Sequence, residues 1–170
     1  MKNKKLLLGI AWAWLTCLSA NAEVKLPAFF SDGMVMQQQT RANLWGTATP
    51  DAPVKITTSW DKQTYKTTAD AKGAWKLALS TPSAGGPYTI TFDDGKLTEI
   101  RDILMGELWL CSGQSNMEMP MKGFKNQPVE NSNTDVMNSR NPQLRLFTVK
   151  RSSSFTPKTE VMGTLQEAVP

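Results

Sequence analysis

Three short runs between residues 54 and 92 alternate apolar and polar side chains with a period of two. Val54, Ile56, Thr58 and Trp60 alternate with Lys55, Thr57 and Ser59; Trp75, Leu77 and Leu79 with Lys76 and Ala78; Tyr88, Ile90 and Phe92 with Thr89 and Thr91. A strand sends successive side chains to opposite faces, so each run buries one face and wets the other. Turn chemistry separates the runs: Thr49-Pro50-Asp51-Ala52-Pro53, Asp70-Ala71-Lys72-Gly73, Gly85-Gly86-Pro87 and Asp93-Asp94-Gly95. No stretch in this region has a helical period. Short strands joined by regular turns imply a small antiparallel β-sandwich over residues 23–104. Shorter strands, Met34–Met36 and Ala42–Trp45, flank a polar turn from Gln37 to Arg41, and Leu97–Leu104 reads as a last strand or connector. Trp60 and Trp75 fall on the apolar faces and are expected in the core. Trp45 is open.

Residues 1–22 read as a signal peptide. Lys2, Lys4 and Lys5 give a basic start, Leu6–Leu18 is apolar but too short to span a bilayer, and Ala20-Asn21-Ala22 is a small-x-small cleavage site. The chain is therefore expected to be exported, to the periplasm or outside the cell, starting at Glu23 and with no membrane anchor after cleavage. The residues before Cys17 fit a lipid-attachment box poorly. All fifteen acids lie beyond residue 22, and three of the nineteen bases lie before it. Sixteen bases then face fifteen acids, so the apparent basicity belongs to the leader. No basic block interleaved with aromatics remains, and a nucleic-acid partner is not expected. Cys111 is the one cysteine left, and the chain has no histidine. An internal disulfide and a zinc site of the usual ligand types are both excluded on that count.

Beyond Met105-Gly106, the expected domain boundary, the pattern changes. Leu108–Cys111 is an unbroken apolar run, suited to a strand buried on both faces as in a parallel sheet. Ser112-Gly113-Gln114-Ser115-Asn116 then forces a tight turn at the carboxyl end of that strand, where open α/β sheets place ligands. Pro120, Gly123 and Pro128 break any long regular element directly after the turn. A modest helix is expected over about Val129–Asn138, stopped by Asn141-Pro142, and Leu144–Val149 is a good second strand. Together these make one β-α-β unit over residues 105–170. Lys150–Lys158 reads as a serine-rich basic loop, and Met162–Pro170 carries no expected strand or helix.

The run Gly106-Glu107-Leu108-Trp109-Leu110-Cys111-Ser112-Gly113-Gln114-Ser115-Asn116-Met117 resembles the nucleophile block of the sialate O-acetylesterase family, within the SGNH hydrolases. Ser31–Gln37, Trp45–Ala48, Gly73-x-Trp75 and Ala84–Tyr88 are similar to that family's amino-terminal β-domain. The resemblance implies that Ser115 is the nucleophile, with Gln114 and Asn116 bracing the turn or touching sugar. It implies an O-acetylated sugar as substrate, O-acetyl sialic acid being the namesake, and no metal or organic cofactor.

A serine hydroxyl needs an adjacent base, usually a histidine oriented by a carboxylate. The family's Asp-x-x-His block is not recognisable in this sequence. Glu118 and Lys122 lie near Ser115 in sequence, but Pro120 breaks the helix that would bring them to it. The expectation is an amino-terminal portion of a larger esterase, inactive alone and partnered by a missing carboxyl-terminal half. The alternative is an exported non-catalytic β-sandwich module that binds glycan or protein.

Overall fold

The computed structural model describes residues 23–169. The expected signal peptide, Cys17 included, lies outside the described residues. Nine strands are present among the described residues: β1 (Val35–Gln37), β2 (Arg41–Thr47), β3 (Pro53–Thr58), β4 (Thr64–Thr68), β5 (Ala74–Ser80), β6 (Gly85–Asp93), β7 (Leu97–Gly106), β8 (Asn141–Val149) and β9 (Gly163–Ala168). Helix is confined among the described residues to a 3-10 turn at Ser115–Met117 and to α1 (Ser132–Met137). The strands form a five-stranded sheet in the order β1-β7-β6-β3-β4 and two pairs, β2-β5 and β8-β9.

The alternating runs become β3, β5 and β6, and the faces fall where the period puts them. Val54, Ile56 and Thr58 of β3 are sealed from solvent, as are Ile90 and Phe92 of β6 and Leu79 of β5, and Trp75 is 3% exposed. With Leu44 of β2 and Ile100, Ile103 and Met105 of β7 they make one apolar core shared by the five-stranded sheet and the β2-β5 pair. Each such large side chain contributes roughly 1.5–3 kcal/mol on leaving water. Trp75 lies 5.9 Å from Phe92, ring centre to ring centre. It passes over Gly46, where an added Cβ would sit 3.0 Å from the ring and 2.4 Å from the Lys25 carbonyl. That close approach explains the glycine in Trp45-Gly46-Thr47. Trp60 sits in the turn after β3, half-buried against this core, donating from Nε1 to Ser80 O at 3.2 Å.

β1 and β2, which flank the polar turn, do not pair with each other, and the sheet is not purely antiparallel as expected. β1 runs parallel to β7, with Val35 opposite Leu104 and Gln37 opposite Gly106, while β2 pairs with β5. The polar turn between them carries the chain from one sheet to the other. Gln39 takes a positive φ there and donates to Pro82 O at 3.0 Å, and Thr81 Oγ1 donates to Gln37 O at 2.7 Å.

The β-α-β unit expected over residues 105–170 is also corrected. Leu108–Cys111 carries no strand, and these residues are exposed, Trp109 at 81% and Leu110 at 94%. Parallel strands need both faces covered, and among the described residues no strand or helix flanks this run. The helix is present but shorter than expected, at six residues. The second strand forms within β8, but its partner is β9, antiparallel, where no strand is expected from the sequence.

The β8-β9 hairpin rests on the β2–β7 region. Arg145 of β8 is 8% exposed at its side chain and pairs with Asp102 of β7 at 3.0 Å and with Glu167 of β9. Phe147 stacks edge-on against Phe29, 6.2 Å between centres, and Phe29 and Phe30 both meet Trp45. Leu165 packs on the main core, and Trp45 donates from Nε1 to Thr159 O at 3.2 Å.

Candidate active site

The segment carrying Ser115 leaves the five-stranded sheet at the end of β7. The β1-β7 ladder closes with Gln37 opposite Gly106, and one bond beyond it Gln38 N donates to Gly106 O at 2.9 Å. The next residue, Glu107, is held by both glutamine side chains. Gln37 Nε2 donates to Oε2 at 3.1 Å and Gln38 Nε2 to Oε1 at 2.8 Å. Gln37 Oε1 in turn accepts from Leu108 N at 2.9 Å, and Gln38 Oε1 from Ala84 N at 2.7 Å. Donation from Gln38 and then Gln37 favours the ionised carboxyl, so the Glu107 pKa is lowered from its ordinary value.

From Leu108 the chain runs exposed and without regular structure to Gln114. It then folds into a single tight turn. Met117 N donates to Gln114 O at 3.0 Å and Glu118 N to Ser115 O at 3.1 Å. The Met117 side chain folds back over Gly113, where a Cβ would come within 2.7 Å of Met117 Cγ and would have to displace that exposed side chain. Gln114, Ser115 and Asn116 are all exposed. Ser115 opens the turn, Gln114 precedes it and Asn116 is its middle residue.

These three residues are neighbours on one turn, and among the described residues no hydrogen bond joins a further side chain to the Ser115 hydroxyl. Glu118 is paired with Arg151. Lys122 is exposed, two residues beyond Pro120. Among the described residues, no cluster of three or more His, Cys, Asp or Glu side chains gathers at metal-ligating spacing. A cleft of about 220 Å³ lies beside Arg145, Asp102 and Asp32, and one of about 340 Å³ beside Thr57, Thr91 and Glu99. Neither is lined by any residue of the Ser115 segment. The chemistry this arrangement offers is a single accessible hydroxyl on a turn whose leading N–H, that of Ser115, has no acceptor among the described residues.

Two features of this region are not visible as a sequence pattern. The Gln37-Gln38-Glu107 network joins residues far apart in the chain. Arg145 sits in a strand that alternates weakly. The signal for the first was that Gln37 and Glu107 lie inside two family-like runs, Ser31–Gln37 and Gly106–Met117, and that Gln38 adjoins the first.

No family model matches the chain. It is 32% identical over 131 residues to the sialate O-acetylesterase of Homo sapiens, covering 71% of this chain and 25% of that protein. It is 31% identical over 141 residues to that of Mus musculus, covering 77% and 25%, and 32% identical over 149 residues to that of Rattus norvegicus, covering 82% and 27%. The chain thus spans about a quarter of the length of the curated relatives it matches. Among solved structures, a carbohydrate acetylesterase from Xanthomonas citri superimposes with a TM-score of 0.78 at 31% identity, over 86% of this chain and 33% of that one. Over most of its own length and a quarter of theirs, the chain belongs to the sialate O-acetylesterase family.

Proposed function

We propose that this chain carries the nucleophile-bearing portion of an exported carbohydrate O-acetylesterase, with Ser115 as its nucleophile. The observation that carries the reading is the placement of Ser115: exposed, at the head of a tight turn, directly after the run Leu108–Cys111. The resemblance of that run to an esterase nucleophile block, and the esterase relatives, support it.

In this reading Ser115 Oγ attacks the acetyl carbonyl of an O-acetylated sugar, O-acetyl sialic acid being the first candidate. The C–O bond to the sugar breaks, the sugar oxygen takes a proton, and an acetyl-serine forms. Water then cleaves the acetyl-serine and releases acetate. The Ser115 N–H is one donor to the oxyanion, and Gln114 and Asn116 support the turn or contact sugar. Losing one such donor typically costs about a hundred-fold or more in rate.

The Ser115 proton needs a base, and the sequence contains no histidine. The base is therefore assigned to polypeptide other than these 170 residues, in the remainder of the enzyme. The same polypeptide would cover Leu108, Trp109 and Leu110 and turn them into a strand. Residues 23–104 are read as a β-sandwich domain, 105–170 as the start of the SGNH α/β domain, and 1–22 as a signal peptide directing export to the periplasm or beyond.

A serine-directed phosphonate tests the assignment. With the remainder of the enzyme supplied in trans, an adduct is expected on Ser115 and absent from Ser115→Ala. No adduct with both pieces present rejects it. A second reading, an exported β-sandwich module that binds glycan or protein without catalysis, draws on the self-contained core of β1–β7. Retained glycan binding without any adduct supports that one.

A further inference from the structure

We propose that Gln37 and Gln38 are positioning residues: acting through Glu107, they fix the direction in which the Ser115 segment leaves the five-stranded sheet. The role rests on the reading of Ser115 as nucleophile.

The two glutamines sit where the parallel ladder of β1 and β7 runs out. Past that point no ladder guides the chain. Between Glu107 and Gln114 the hydrogen bonds that tie the segment to the β-strands, among the described residues, are those of the Glu107 carboxylate and the Leu108 N–H, and all three end on Gln37 or Gln38. Each amide is used at both ends. Gln37 donates to the carboxylate and accepts from Leu108 N, while Gln38 donates to the carboxylate and accepts from Ala84 N. The segment is therefore clasped by β1 and by the loop before β6 together. Gln37 is itself anchored by Thr81 Oγ1, and Gln38 by its N–H on Gly106 O. An amide clasped at both ends cannot rotate without breaking a second bond, which makes the exit direction well defined.

The polarity of the network supplies the test. Glu107→Gln alone sets an NH2 group against the NH2 of a glutamine. Gln38→Glu alone sets two carboxylates face to face. Glu107→Gln combined with Gln38→Glu restores every bond, with the polarity of the bond between positions 38 and 107 reversed. The new amide oxygen accepts from Gln37, its NH2 donates to the new carboxylate, and that carboxylate still accepts from Ala84 N.

Amide hydrogen exchange on the full chain reads the outcome. In either single variant the Leu108 N–H is expected to exchange about fivefold faster or more. The Leu104 N–H, which donates to Met34 O within the ladder, is expected to stay unchanged. The double variant is expected to return Leu108 to its original rate. Leu108 exchange unmoved by the single changes overturns the proposal. So does acceleration of Leu104 and Leu108 together, which marks a merely structural role, and so does failure of the double change to rescue. Ser115→Ala leaves both amides as they were. A failure of the nucleophile reading would instead appear as an intact clasp with no phosphonate adduct on Ser115 when the remainder of the enzyme is present, which removes the positioning role while leaving the exchange pattern in place.

Discussion

The guanidinium of Arg145 donates from Nη2 to Asp102 Oδ2 at 3.0 Å, joining β8 to β7. Its other terminal nitrogen meets Glu167 of β9, so one nearly buried cation holds three strands. Arg145→Met removes that hold. Asp102 and Glu167 are about half exposed and rehydrate when it goes, so no stranded buried charge adds to the loss. The expected cost is about 1.5–3 kcal/mol of hairpin docking, the range for hydrogen bonds to charged groups. Hydrogen exchange checks it: amides of β8 and β9 lose protection while those of β3, β5 and β6 keep theirs.

Trp75 and Trp109 give opposite outcomes when truncated. Trp75 is 3% exposed and touches Phe92, so Trp75→Ala is expected to destabilise the chain by about 3–5 kcal/mol. Trp109 is 81% exposed, and Trp109→Ala is expected to move stability by no more than about 0.5 kcal/mol. Urea denaturation of the two variants makes the comparison.

Asp61 makes the β3-β4 hairpin acid-sensitive. Its partial burial pushes the pKa up, but donors from Thr58, Gln63 N at 3.0 Å and Tyr65 OH at 2.8 Å outweigh that, and the net direction is down from 3.8. The folded state thus prefers the ionised form. Its stabilisation is complete above the ordinary aspartate pKa and is lost as pH falls through the lowered folded value. The Asp61→Asn chain is expected to be less stable than the parent at pH 6 and to approach it near pH 2, by thermal unfolding at both.

Cys111 is exposed and free. In a Cys17→Ser background, a maleimide is expected to modify one thiol per chain without denaturant. If the remainder of the proposed enzyme covers Leu108–Cys111, its addition is expected to protect that thiol, and unchanged labelling in its presence would count against completion of the sheet there.

The β-strands were legible because burial on one face writes a period of two into the sequence, and Val54, Ile56, Ile90 and Phe92 follow it. β9 was not, because Leu165 and Ala168 are its only substantially covered apolar residues and they do not alternate. Leu108–Cys111 misled for a physical reason. Hydrophobicity states that a segment can be buried, not that a covering surface is at hand. The position of Ser115 on a turn was readable from Ser112-Gly113-Gln114, since such residues end a strand whether or not the strand before them forms. The parallel pairing of β1 was not readable, because nothing local distinguishes it from the first arm of a hairpin.

That pairing has a consequence for the order of events during synthesis. Val35 lies in the first strand of the sheet to be made, and Leu104 in the last. Contacts so distant along the chain close late and slowly. The stretch bearing Ser115 is made only after every strand that anchors it, so it emerges from the ribosome onto a platform whose pieces already exist.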